Sequence, residues 1–202
     1  YLKDYTIFVM VYGIDEVGRG AWAGPLVMAG VSYDGQRKFG FDEIKKVWRL
    51  VEDSRVIICD SKKLSRKVRE LSACWLEKNV YYRLVEDSAE KINEMGIRKV
   101  WDGLVIDLVS EIEGKIVIDG NWKPDGLENV QTLVKGDTLV WEISAASILA
   151  KVYRDNLMLK LAEDYKGYGW ERNVGYGTKE HREAIVKLGT NDQHRKLWVR
   201  KL

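Results

Sequence analysis

Asp15 and Glu16 stand side by side in Gly13-Ile14-Asp15-Glu16-Val17-Gly18-Arg19-Gly20, two carboxylates walled in by glycines. The apolar run Ile7-Phe8-Val9-Met10-Val11-Tyr12 just before them has the pattern of a strand buried on both faces. Glycine then lets the backbone leave that strand and approach a ligand closely. Carboxylates delivered by a rigid strand to a glycine-lined mouth suit divalent cations, which prefer oxygen ligands. The plainer alternative is a turn carrying two solvated acids. A phosphate-binding loop is excluded, because Arg19 and Gly20 stand where Lys and Ser/Thr are required, and because a phosphate would face both acids. Val117-Ile118-Asp119-Gly120 repeats the context, an acid after a buried strand and beside a glycine. If the two strands are neighbours, Asp15 and Asp119 meet at one end of a sheet, where α/β proteins gather ligands. Glu16 joins them only if the chain twists out of the strand, because adjacent strand residues point to opposite faces.

The octet continues as Ala21-Trp22-Ala23-Gly24-Pro25-Leu26-Val27, and the whole segment resembles the signature of type 2 ribonuclease H, the ribonuclease HII family. Asp60-Ser61-Lys62-Lys63-Leu64, Val117-Ile118-Asp119-Gly120, Ile143-Ser144-Ala145-Ala146-Ser147-Ile148-Leu149-Ala150-Lys151 and Gly175-Tyr176-Gly177-Thr178 match that family in order, and His194-Arg195 fits its ending. The resemblance runs from about Gly13 to Arg195.

It implies a catalytic and metal-binding quartet of Asp15, Glu16, Asp119 and Asp137. By spacing alone a cap on the helix that follows is an equally good reading of Asp137. Four packed carboxylates raise one another's pKa values and make sense only with cations. Mg²⁺ or Mn²⁺, two ions per site, would then serve in-line hydrolysis of a phosphodiester and leave a 3′-hydroxyl and a 5′-phosphate. The implied substrates are RNA/DNA hybrids and duplex DNA carrying a single ribonucleotide, cut on the 5′ side of the ribonucleotide. Gly18, Arg19 and Gly20 would read the 2′-hydroxyl, the group that separates RNA from DNA. Tyr176 would pack on the neighbouring sugar, although its spacing alone suggests a core anchor. Lys62 and Lys151 would contact phosphates, Lys63 less so, while Thr178, His181 and His194 would hold the tyrosine loop and C-terminal helices, although surface positions explain these three equally well. Trp22 and Trp198 depart from the family pattern without removing a catalytic candidate. The rival readings are the type 3 enzyme and a catalytically silent nucleic-acid-binding module.

Other acids have plainer roles: Asp60 orders the turn before Lys62, and Asp107 and Asp155 sit within helices as supporting residues. Two scattered histidines do not suggest a serine or cysteine triad.

These residues need elements to hold them. Hydrophobic periodicity predicts strands at about 6–13, 26–33, 80–85, 115–118 and 130–134. It predicts helices at about 41–52, 66–78 (capped by Ser65), 88–94, 97–113, 140–165, 179–188 and 192–200. The fold class is α/β, a mixed sheet flanked by helices. The resemblance sharpens it to a ribonuclease H-like core, one domain over residues 1–202, with about 165–202 as a helical C-terminal extension. Ser144, Ala145, Ala146, Ser147 and Ala150 form a small-residue patch read as packing alone.

At 202 residues and 46% apolar, the chain has material for one real core. A net charge of +2 does not announce a nucleic-acid binder. Basic clusters at Lys62, Lys63, Arg66, Lys67 and Arg69, and at Arg195, Lys196, Arg200 and Lys201, lean toward phosphate contacts beside a metal site. Cys59 and Cys74 form no metal-binding or disulfide pattern, in keeping with a reducing cytoplasm. No apolar run approaches the ~20 residues of a membrane span. The first run is short and follows Lys3 and Asp4, unlike a signal peptide. A monomer is expected, and the chain opens on Tyr1 rather than Met, which leaves open whether residues precede it.

Overall fold

The computed structural model describes residues 11–33 and 38–200. Its main sheet has five strands: β1 (Val11–Val17), β2 (Leu26–Ser32), β6 (Tyr81–Asp87), β7 (Lys115–Asp119) and β8 (Val130–Leu133). Their order is β6-β2-β1-β7-β8, with β2 antiparallel to both β6 and β1, and with β1, β7 and β8 parallel. Helices cover both faces. Tyr12, Ile14, Leu26 and Met28 pack against α2 (Ala89–Met95) and α3 (Ile97–Val109). Val27, Ala29 and Val31 pack against α1 (Arg66–Asn79) and the long α4 (Trp141–Asp164). Ser65 caps α1 as expected, its hydroxyl accepting from the Val68 N–H. The C-terminal part adds α5 (Trp170–Asn173), α6 (Lys179–Leu188) and α7 (Lys196–Val199), gathered over Ala23 and Met158.

The helix expected over 41–52 is instead a hairpin of β3 (Phe39–Asp42) and β4 (Val47–Leu50), extended by β5 (Ile57–Ile58). Local chemistry overrode the apparent helical spacing. The Asp42 carboxylate accepts from the backbone N–H groups of Ile44 and Lys45, and Lys46 adopts a left-handed φ of 52°. Phe41 and Trp48 then face each other across the strands at 4.6 Å, and Ile44 is left in solvent. The expected helix at 192–200 shrinks to the single turn of α7.

The first expected strand lies partly outside the described residues, and β1 runs further than its apolar stretch suggests. It continues through Val17, so Asp15 and Glu16 belong to the strand and the turn begins only at Gly18. The small-residue patch of α4 lies directly on β1. A Cβ on Gly13 would stand 2.5 Å from the backbone nitrogen of Ile143, so only glycine admits the helix at this height.

Candidate active site

Parallel pairing of β1 and β7 places Ile14 beside Ile118, so the next residues along, Asp15 and Asp119, meet at the ends of adjacent strands. Asp15 and Glu16 leave opposite faces of β1, as strand geometry requires. Asp15 turns toward α4, where the Ser147 hydroxyl hydrogen-bonds to it. Glu16 turns toward the α3 side and Trp101. They straddle the strand end without any twist out of it, and each is close enough to Asp119 to feel its charge. The Asp15 carboxylate also accepts from the Glu16 backbone N–H at 2.7 Å.

Asp119, the last residue of β7, accepts from the Gly136 N–H at 2.7 Å. That bond fixes the 3₁₀ turn of Gly136–Thr138 against the strand and brings Asp137 beside Asp119. Asp137 does not cap α4. Val140 is the N-cap, with no side-chain bond, and Asp137 contributes only its carbonyl oxygen, which accepts from the Ser144 hydroxyl at 2.6 Å.

Burial is the larger cause of the electrostatics here, with mutual repulsion second. Asp15 is pushed well above the usual carboxylate range by loss of solvent, then by Glu16. Glu16 and Asp137 rise for the same leading reason. Arg19 opposes the rise at Glu16, while Asp119 adds to it at Asp137. Glu16 Oε1 pairs with the Arg19 guanidinium at 2.8 Å, but its Oε2 is buried with no hydrogen-bond partner. An oxygen-only donor set, short of positive charge and with one orphaned carboxylate oxygen, fits a hard divalent cation. Among the described residues no three His, Cys, Asp or Glu side chains group closely enough to enclose an ion. Magnesium-like ions tolerate this, since water and substrate phosphate complete their shell.

Beside the carboxylates lies a cavity of about 280 Å³ lined by Glu16, Val17, Ser61, Lys62, Ser147, Lys151 and Tyr176. Lys62 sits on a 3₁₀ turn ordered by Asp60, whose carboxylate accepts from the Lys62 N–H at 3.0 Å. Burial would lower the Lys62 ammonium, yet Asp60, Asp15 and Asp137 hold it above its ordinary value. Lys63 lies near enough to Asp137 to lower it slightly. Lys151 donates to Asp155 at 2.8 Å and approaches the Tyr176 ring at 5.9 Å. Tyr176 is a half-buried wall of the cavity, so the core-anchor alternative does not hold. Gly18 is buried, whereas Arg19 and Gly20 are exposed at the mouth.

Several residues that shape the site are not apparent from the sequence. Ser147 is more than packing, since it bonds Asp15 and stands 3.0 Å from the Ser61 hydroxyl. Arg154, with no exposed surface, donates to the carbonyls of Pro25, Val174 and Ala23 and lies 5.5 Å from the Tyr176 ring. Arg195 is equally buried and belongs to no phosphate-binding cluster. It donates to the carbonyls of Gly18, Arg19 and Gly24 and so clamps the glycine loop from behind. Nothing in the sequence around Arg154 distinguishes a buried arginine from an ordinary charge on a helix.

His181 and His194 are buried together with their Nε2 atoms 3.3 Å apart. The Trp170 indole can only donate, so His181 Nε2 accepts and its Nδ1–H donates to the Tyr176 carbonyl at 3.0 Å. Thr178 caps α6, with its hydroxyl accepting from the His181 N–H. All three therefore support the tyrosine loop. Trp22 covers the backbone of Gly177 in that loop, and Trp198 packs by the Arg195 guanidinium at 5.6 Å.

A mixed five-stranded sheet with carboxylates at the ends of parallel neighbours defines the ribonuclease H-like class. The ribonuclease H2 structure from Pyrococcus horikoshii OT3 superposes with a TM-score of 0.72 at 23% identity, covering 95% of this chain and 96% of that one. The ribonuclease HII of the PCNA:RNase HII complex from Archaeoglobus fulgidus superposes at 0.70 with 25% identity, covering 94% and 95%. The sequence model of Ribonuclease HII matches residues 12–201. A Ribonuclease HII of Sulfurovum sp. is 42% identical over 185 residues, 91% of this chain and 88% of the relative. The chain belongs to the ribonuclease HII family, whose members are ribonuclease H endonucleases.

Proposed function

We propose that this chain is a divalent-metal-dependent endonuclease that hydrolyses the phosphodiester 5′ to a ribonucleotide. Its substrates are RNA/DNA hybrids and single ribonucleotides embedded in duplex DNA, and its products carry a 3′-hydroxyl and a 5′-phosphate. The observation that carries this reading is the pairing of Asp15 beside Asp119, with Glu16 and Asp137 at their flanks, next to a cavity walled by Lys62, Lys151 and Tyr176.

Asp15, Glu16, Asp119 and Asp137 are the residues that would hold the ions. Two Mg²⁺ or Mn²⁺ bound there supply the Lewis acidity for in-line attack of water on phosphorus and for departure of the 3′ oxygen. A solved ribonuclease HIII with a similar fold is a Mn²⁺ complex, which fits that choice of ion. The Gly18–Gly20 backbone, held from behind by Arg195, approaches the 2′-hydroxyl without a side chain intervening. Lys62 and Lys151 meet phosphates as point charges. Tyr176 packs on the sugar 3′ to the ribonucleotide and disfavours a second 2′-hydroxyl there. We place the enzyme in the cytoplasm as a single-domain monomer acting in ribonucleotide removal and DNA replication. Among the described residues no helix is long and apolar enough to cross a membrane.

The test is incubation with a DNA duplex carrying one ribonucleotide, with Mg²⁺, with Mn²⁺ and with chelator. Metal-dependent nicking 5′ to the ribonucleotide is expected. Cutting confined to continuous hybrids would point to type 3 behaviour, and binding without cutting would point to an inactive module.

A further inference from the structure

Arg19 is held from two sides. Its guanidinium pairs with Glu16 Oε1 at 2.8 Å and lies 5.0 Å from the Trp122 ring centroid. Trp122 follows β7 closely, three residues beyond Asp119, so the loop that leaves one metal-ligand candidate carries the aromatic face for the arginine beside another. Trp122 is itself fixed. It is half-buried, meets Trp101 edge-on at 5.6 Å, and carries a second guanidinium, that of Arg98, at 5.0 Å. Arg98 is tied in turn to the Lys123 carbonyl at 2.7 Å and to Asp102 at 3.0 Å. A tryptophan anchored this firmly is a platform for the Arg19 guanidinium.

Glu16 and a substrate phosphate compete for the Arg19 guanidinium. With the carboxylates metal-free, Glu16 attracts it. A cation at the carboxylates supplies the same neutralising charge and repels the guanidinium, which must then find another anion. An exposed arginine released in this way regains most of its rotamer freedom and would have to be reordered by substrate. A ring face retains it, because the cation–π attraction leaves the in-plane N–H donors free.

We propose that Trp122 is a positioning residue for Arg19, keeping its guanidinium at the mouth of the carboxylate site as it exchanges Glu16 for a phosphate of the bound duplex. This rests on the nucleic-acid-cleaving reading above.

The experiment compares Trp122→Leu, Trp122→Phe, Arg19→Ala and the Arg19→Ala/Trp122→Leu double variant. Affinity for a single-ribonucleotide duplex is measured by fluorescence anisotropy with Ca²⁺, another oxygen-seeking dication, in place of Mg²⁺, and nicking is measured with Mg²⁺. Trp122→Leu should weaken binding roughly two- to fivefold, the size of a partly exposed cation–π contact. Trp122→Phe should recover most of that loss, and the double variant should bind no worse than Arg19→Ala alone. Additive losses, or wild-type affinity in Trp122→Leu, would overturn the proposal. In 5-fluorotryptophan-labelled protein, the Trp122 resonance, assigned by its disappearance in Trp122→Phe, should move in Arg19→Ala. An unmoved resonance also overturns it. The fluorine spectrum decides the matter even if Trp122→Leu fails to fold. It also decides it if the wild-type chain binds no duplex, a result that would sink the parent reading instead.

Discussion

The Arg154 side chain occupies the space that a Cβ on Gly18 would need, with Arg154 Nε only 2.3 Å from that position. Gly18 also has a φ of +90°, so a side chain there is strained twice over. Gly20 has nothing within 4 Å of its would-be Cβ. Two glycines of one motif thus answer to different demands, one to the protein's interior and the other to whatever approaches from outside.

Gly18→Ala should therefore destabilise the fold by about 2 kcal/mol or more, from overpacking against a fixed guanidinium and from backbone strain. Gly20→Ala should leave the melting temperature unchanged and impair cleavage. Thermal unfolding of the two variants beside nicking rates checks this. Equal loss of stability in both would show that the distinction is wrong.

Asp119→Asn and Asp137→Asn should each lower turnover more than about a hundredfold, beyond the usual cost of losing an outer-shell partner of a metal site. Neither should unfold the protein. Asp137→Asn should in fact raise the melting temperature of metal-free protein at neutral pH, because it removes a desolvated charge beside Asp119. Cleavage at wild-type rate would remove that residue from the site.

Asp15, Glu16 and Asp137 are raised in the folded state, chiefly by burial. From the ordinary carboxylate range near about 4 up to those raised values, the native state holds more protons than the unfolded chain. Metal-free stability therefore falls as pH rises through that window. Divalent cations take the place of those protons, so stabilisation by Mg²⁺ should grow with pH. Melting curves with Mg²⁺ and with chelator across that range test it. A metal effect independent of pH would contradict the assignment.

The histidine pair has the opposite sign. Burial, followed by the neighbouring His181, lowers His194 to about 4, and burial also lowers His181. Between about 6.5 and about 4 the unfolded chain takes up protons that the native pair refuses, so this contribution to stability is lost as pH falls. Its slope is at most about 1.4 kcal/mol per pH unit for each histidine. His194→Gln should flatten the difference curve against wild type over this interval, and an unchanged slope would argue against a neutral buried pair.

Tyr176→Ala should weaken cleavage at a single ribonucleotide by about tenfold or more, within the range of lost stacking contacts. Cleavage inside an RNA tract should suffer less. Equal loss on both substrates would leave Tyr176 as a wall of the cavity with no role in reading the junction.

Asp15, Glu16 and Asp119 as candidates, the glycines around them and most of the elements were legible in the sequence, because apolar periodicity and chain-breaking residues are local signals, whereas Asp137 was singled out by the family resemblance alone. Ser65 at the start of α1, the buried run of β7 and the long α4 all follow from neighbours within a few residues. The hairpin at 39–50 misled because Phe41, Ile44, Val47 and Trp48 mimic a helical face, while the Asp42 turn that reverses the chain leaves little trace in that spacing. Only the tertiary structure decided that β1 and β7 are parallel neighbours in register, so that Asp15 meets Asp119 across more than a hundred residues of chain. Only it showed that Asp15 and Glu16 straddle the strand. Only it separated Arg154 and Arg195, buried with each guanidinium nitrogen bonded to a backbone carbonyl, from the solvated charges they resemble. Residue type fixes which groups can bind a cation or a phosphate. Which of them share one pocket depends on strand pairing and helix packing between distant segments, and no local pattern encodes that.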